Sequence, residues 1–94
     1  MFKELDPLLH SQLRLAIMSI LMSVAEAEFT YIKDKTKATA GNLSVQIDKL
    51  RAAEYLTVEK TFKNNYPLTI CKITPKGRVA FEKYVKDIKS YLKV

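Results

Sequence analysis

Residues 39–55 read TAGNLSVQIDKLRAAEY. Leu43, Ile47 and Leu50 recur at i, i+4 and i+7, which places them on one face of a helix, with Ala53 flanking that face one turn on. Thr39 is suited to the N-cap, because its hydroxyl can accept from the free N–H groups of the first turn. The remaining surface carries Asn42, Ser44, Val45, Gln46 and Lys49. Short or amide-bearing side chains near the start, with a cation further along, suit a helix that enters a DNA major groove. Amides can pair with adenine, and a cation can hold a phosphate. The same pattern also describes an ordinary amphipathic surface helix, so the flanking segments must decide between the two.

Upstream lies EAEFTYIKDKTKA, residues 26–38. It predicts a connection and a short helix that Thr30 can cap, with Phe29 and Ile32 on the apolar side and Tyr31 at its edge. Lys33, Lys35 and Lys37 are offset only by Asp34. A short basic helix directly before a capped amphipathic helix is the helix-turn-helix pattern, in which the first helix lies across the phosphate backbone. The lysines then read as phosphate contacts or, on the competing reading, as a solvated surface.

Downstream, Leu56, Val58, Lys60 and Phe62 alternate with Thr57, Glu59 and Thr61, which predicts a strand. Lys63 to Pro67 break the pattern. It resumes over Leu68 to Thr74, with Thr69, Cys71 and Ile73 on one face and Leu68, Ile70 and Lys72 on the other. Two strands joined by a short polar loop make a hairpin, and a hairpin after a helix-turn-helix is the wing of a winged helix. The tip, Lys63, Asn64 and Asn65, suits the minor groove or nearby phosphates, and it equally suits an ordinary turn.

The two ends read as helices. Asp6 followed by Pro7 is a helix start, and a wide apolar stripe from Leu9 to Val24 predicts a helix over Pro7 to Ala25. That stripe exceeds what one helix of a small monomer buries alone, so partial cover by a second chain is expected. His10 and Arg14, one turn apart, are read as structural polar residues sharing a local contact or an acidic partner. Thr74 and Pro75 open a last helix over 75–92, with Val79, Phe81, Tyr84, Val85, Ile88, Tyr91 and Leu92 on its apolar side and Lys76, Lys83, Lys86 and Asp87 on its polar side.

The 94 residues imply one domain over 1–94, and 48% hydrophobic with 28% charged residues excludes a disordered chain. Sixteen Lys and Arg against ten Asp and Glu leave a net charge of +6, which favours a polyanionic partner. One Cys excludes an internal disulfide; Cys71 reads as a small buried hydrophobe rather than a redox sensor. No apolar run approaches a membrane span, and the expected location is cytoplasmic. No nucleophile–base pair, paired carboxylates, phosphate-binding Gly-rich loop or metal-ligand cluster is present. The chain is therefore not read as an enzyme, and no cofactor or metal is expected.

With these elements in order, the segment from Leu5 to Tyr84 resembles the small MarR-like winged-helix DNA-binding proteins of bacteria and archaea. The resemblance rests on His10 and Arg14, on the opening Thr39, Gly41, Asn42, Leu43 and Ser44, on Lys49 and Leu50, and on Thr74, Gly77, Arg78 and Phe81. The chain departs at Gln46, where the family usually has His, and at the wing tip, usually richer in Arg and Gly.

The resemblance implies a mainly α fold with a β-hairpin wing, a winged helix-turn-helix of three helices, strand, wing, strand and a fourth helix. It implies a homodimeric transcriptional regulator of double-stranded DNA, with helix 39–54 in the major groove and wing 62–68 at the minor groove or backbone. Asn42, Ser44, Val45 and Gln46 would read bases, Gln46 being the candidate for adenine. Lys35, Lys37, Lys49, Lys60 and Lys63 would hold phosphates. The first and last helices would contribute to the dimer. Two alternatives stand beside this reading: a winged-helix module for protein–protein contact without specific DNA binding, and a repressor gated by a small-molecule effector that the sequence does not identify.

Overall fold

The structure, a computed structural model, describes residues 2–92. The elements run α1 (Gln12–Val24), β1 (Glu26–Glu28), α2 (Phe29–Thr36), α3 (Ala40–Ala52), β2 (Leu56–Lys63), β3 (Tyr66–Ile73) and α4 (Pro75–Leu92). This is the winged helix-turn-helix that the sequence predicts: helices on one side, and a hairpin projecting from it.

The core forms where the apolar faces of the helices meet. Ile17, Met18 and Leu21 of α1, Ile32 of α2, Leu43, Ile47 and Leu50 of α3, and Leu56 and Cys71 of the sheet are all buried. One chain thus covers the centre of the α1 stripe by itself. Leu13, Leu15 and Ile20 are partly buried around it.

Four local expectations are corrected. The first helix starts at Gln12 rather than Pro7. Asp6 does start a turn, since its Oδ1 accepts from the Leu8 N–H at 2.9 Å. The extended backbone of Ser11 (φ −151°, ψ 129°) breaks that turn from α1 and lets Leu9 enter the core. Thr30 is not a cap; α2 begins at Phe29, one residue earlier, where strand pairing ends. His10 and Arg14 go to different partners. His10 Nδ1 lies 3.0 Å from the Tyr84 hydroxyl, while Arg14 Nε donates to the Leu8 carbonyl at 2.6 Å. Asp87 is buried rather than on the polar face of α4, and its carboxylate accepts from Lys83 one turn before it.

The sheet has the order β1-β3-β2, antiparallel throughout. The short strand β1 gives the sequence no periodic signal, and it exists through pairing with Ile70, Cys71 and Lys72. Lys72 lies 3.8 Å from Glu26 and 3.9 Å from Glu59, so one cation bridges both neighbours of β3. The hairpin is longer than predicted, because Lys63, Tyr66 and Pro67 belong to its strands. Only Asn64 and Asn65 remain as the turn, at φ 51° and 67°. Positive φ at both central residues is the geometry that matches hairpin twist, and Asn tolerates it. Pro67 is accommodated because it faces Phe62, one pair beyond the Lys63–Tyr66 pair that closes the turn. Its nitrogen therefore points away from β2, past the end of β1, and no ladder bond is lost.

The ends of α3 and the start of α4 lock together. The Tyr55 N–H donates to the Leu50 carbonyl at 3.0 Å and the Glu54 N–H to the Arg51 carbonyl at 2.9 Å, which stops α3 with Glu54 at φ 65°. Thr74 then donates its N–H to the Tyr55 carbonyl at 3.1 Å and its hydroxyl to the Glu54 carbonyl at 2.6 Å. The same hydroxyl accepts from the Gly77 N–H at 2.9 Å and so caps α4. This weld fixes the angle between the wing, α3 and the last helix.

Candidate nucleic-acid interface

The outward strip of α3 is exposed on a helix whose other face is packed in the core. Burial of Leu43, Ile47 and Leu50 turns the opposite side to solvent, where Asn42, Ser44, Val45 and Lys49 are all exposed. Thr39 caps the helix from an extended backbone, and its hydroxyl accepts from the Asn42 N–H at 3.2 Å. Lys37 sits in the tight turn just before it, in the left-handed region at φ 58°. The structure therefore gathers Lys37, Thr39 and Asn42 at one end of the strip.

Gln46 differs from its neighbours. It is half-buried, its Oε1 accepts from Arg14 Nη1, and its Nε2 donates to Asn42 Oδ1 at 3.0 Å. Both ends of the amide are engaged inside the protein.

The wing flanks the other side of α3. A groove of about 370 Å³ between them is lined by Ser44, Ile47, Asp48 and Arg51 of α3, by Val58, Lys60 and Thr69 of the sheet, and by Phe29. Lys60 and Ser44 are thus brought to one place. Arg51, which the sequence reading passed over, joins them; its Nη2 lies 3.3 Å from Asp48, which offsets the one carboxylate on this face. An Arg seven residues past Ser44, two helical turns on along the same face, is the signal that could have found it.

Other expected residues lie elsewhere. Residues alternate along a strand, so Lys63 faces the opposite side of the ribbon from Lys60 and lines a second groove with Val24, Glu28, Tyr31, Leu68 and Ile70. Lys35 lies over the Tyr31 ring at 5.5 Å and borders α1. Asn64 and Asn65 are exposed at the wing tip beside two large aromatics, Phe62 and Tyr66, each 74% exposed.

The titratable groups that shift are Tyr55, Cys71 and Lys83, none of them on α3. Burial, then the hydrogen bond to Asp6 and its charge, push the Tyr55 hydroxyl up to about 12. That hydroxyl donates to Asp6 Oδ2 at 2.5 Å and ties the N-terminal segment to the α3–β2 turn. Burial pushes the Cys71 thiol up to about 11, so the free cysteine is an inert core residue. The hydrogen bond and charge of Asp87 raise Lys83. Among the described residues no group of three or more His, Cys, Asp or Glu is placed to hold a metal ion, and no helix is long and apolar enough to cross a membrane.

Comparison with known proteins identifies the family and the fold. A family model described as a winged helix DNA-binding domain matches residues 13–92. An uncharacterised protein of Methanocaldococcus jannaschii is 37% identical over 79 residues, which is 84% of this chain and 86% of that protein. The transcriptional regulator homologue protein from Pyrococcus horikoshii OT3 superposes with a TM-score of 0.86 at 26% identity, over 92% of this chain and 85% of that one. A mutant MarR from E. coli, solved in complex with operator DNA, superposes with a TM-score of 0.72 at 18% identity, over 93% of this chain and 61% of that one. The last likeness concerns the fold alone.

Proposed function

The chain belongs to the winged helix DNA-binding domain family, and from that premise we propose that it is a MarR-like regulator of transcription that binds duplex DNA as a homodimer. The observation that carries this reading is the outward strip of α3, rigidly held, capped at its entry and flanked by Lys60 of the wing. In this reading α3 enters the major groove. Asn42, Ser44 and Val45 meet base edges, and Gln46 acts at the same face. Lys37, Lys49 and Lys60 neutralise phosphates, with Asn64 and Asn65 at the backbone or minor groove, while Lys35 and Lys63, which face away from this strip, add only to the general positive field. The excess of positive charge, +6 for the chain, supplies long-range attraction to the polyanion.

The dimer places two copies of α3 in successive grooves, roughly one helical turn apart. Its contacts come from the N-terminal segment and α4, where Phe2 stacks on Tyr91 at 4.9 Å and Leu92 is 76% exposed.

Fluorescence anisotropy against a random-sequence duplex across a salt series tests the reading. Each phosphate contact releases counterions, so affinity should fall on the order of 100-fold or more between about 50 and 200 mM salt. Absence of binding at low salt would overturn it and favour a protein-partner module.

A further inference from the structure

We propose that Gln46 is a positioning residue that decides which bases Asn42 accepts, by holding the Asn42 amide with its N–H donors toward the DNA. The inference rests on the reading of α3 as the DNA-binding face.

Hydrogen-bond polarity fixes the orientation of both amides. Arg14 carries donors and no acceptor, so the atom of Gln46 that meets Arg14 Nη1 must be its oxygen. The Gln46 nitrogen is then at the other end of the amide, 3.0 Å from Asn42. It donates, so the atom of Asn42 that meets it must be Oδ1. That leaves Asn42 Nδ2 as the free end, on an exposed residue in the first turn of α3. Each link forces the next, and the chain begins at a group whose sign cannot change.

The starting group is also fixed in space. Arg14 Nε donates to the Leu8 carbonyl at 2.6 Å, Leu8 N–H donates to Asp6 Oδ1 at 2.9 Å, and Asp6 Oδ2 accepts from Tyr55. The N-terminal segment therefore anchors the guanidinium, the guanidinium orients Gln46, and Gln46 orients Asn42. The Asn42 backbone N–H is already used by the Thr39 cap, so the side-chain donors are what this residue presents.

A donor presented in the major groove selects acceptor-bearing edges: guanine O6 and N7, thymine O4, or adenine N7. It disfavours cytosine, whose N4 is a donor. Bidentate pairing of Asn42 with adenine needs the amide oxygen outward as well, and here that oxygen is turned to Gln46.

Gln46→Glu tests the inference. A carboxylate still accepts from Arg14, but its second oxygen can no longer donate to Asn42. Asn42 then turns its nitrogen inward and presents its oxygen to the groove. Sites selected from a random duplex library should differ between the wild type and Q46E at one base pair per half-site. The preference there should move from an acceptor edge to a donor edge, cytosine N4 or adenine N6, by about tenfold. The added negative charge should also lower affinity for random duplex, so the deciding readout is which base the selected sites carry, not how tightly they bind. If Q46E does not fold, Asn42→Asp makes the same switch, since one oxygen accepts from Gln46 and the other replaces the outward nitrogen.

Identical selected sites for the wild type and the folded variant would overturn the inference while leaving the DNA-binding reading intact. A uniform loss of affinity with unchanged base preference would also overturn it, because that is what a purely structural Gln46 predicts. A wild type with neither salt-dependent binding nor a selected site would sink the DNA-binding reading itself, and the inference with it.

Discussion

Helices α3 and α4 open with nearly the same signal and use it for opposite ends. Each has a threonine cap followed shortly by a glycine: Thr39 and Gly41 in one, Thr74 and Gly77 in the other. Each hydroxyl accepts from a first-turn N–H, from Asn42 at 3.2 Å and from Gly77 at 2.9 Å. The glycines then part company. A Cβ on Gly77 would stand 2.0 Å from the Tyr55 carbonyl oxygen and 3.0 Å from Met18 Cε, whereas a Cβ on Gly41 would meet no atom within 4 Å. At α4 the missing side chain lets two parts of the protein touch. At α3 it leaves the helix start open to something outside the protein. A glycine in a helix costs roughly 0.5–1 kcal/mol relative to alanine, and at α3 no internal contact offsets that cost. On the DNA-binding reading, the close approach of a phosphate does.

The contrast can be broken most violently at α4. Gly77→Ala must move a backbone carbonyl that already accepts from Thr74, so it should cost about 3 kcal/mol or more. A thermal melt should show Tm lower by about 12 °C or more, or no cooperative transition. A melt like the wild type's would mean that α4 does not pack as described.

Within α3 the same contrast runs between its two faces. Leu43→Ala removes a side chain that is wholly buried and should cost about 2–5 kcal/mol in denaturant unfolding. Val45→Ala, two residues away and half exposed, should change stability by less than about 0.5 kcal/mol yet weaken binding to a selected duplex. Equal stability losses would erase the division between core face and outer face.

Smaller effects sharpen the picture. Thr39→Ala removes the cap and should cost about 1 kcal/mol. Gly41→Ala should stabilise the free protein by roughly 0.5 kcal/mol while lowering affinity for duplex DNA, read by melting and by anisotropy on the same sample. An alanine there that leaves DNA affinity unchanged would remove the assigned reason for the glycine.

The mildest effect is a pH dependence. Tyr55 ionises near 10 when unfolded and at about 12 when folded, so above pH 10 the unfolded chain loses this proton first. Its contribution is complete below pH 10 and is lost as pH rises toward 12. Tyr55→Phe should flatten that part of the stability curve.

Much of this was legible in the sequence, because local rules sufficed. The period of Leu43, Ile47 and Leu50, the Thr39 cap, the alternation after Leu56 and the Thr74–Pro75 start all name elements without reference to the rest of the chain. What escaped depends on partners far away in sequence. Strand β1 is made by β3, over forty residues on. Leu9 enters the core through a turn, because the chain there answers to burial rather than to helix periodicity. Arg14 and Gln46 are 32 residues apart, and nothing in either segment announces the other. The family resemblance makes Gln46 the candidate adenine reader; in the fold its amide bonds to Arg14 at one end and to Asn42 at the other. Gly41 and Gly77 make the same point, since only the neighbours tell them apart.

The central claim is that the outward strip of α3 and the wing beside it meet DNA. The most direct test is to titrate isotope-labelled protein with a duplex and follow every backbone amide by NMR. The account predicts that the largest shifts fall on residues 37–49 and 60–65, with the middle of α4 unmoved. Shifts confined to α4 and the N-terminal segment, with α3 unchanged, would contradict it.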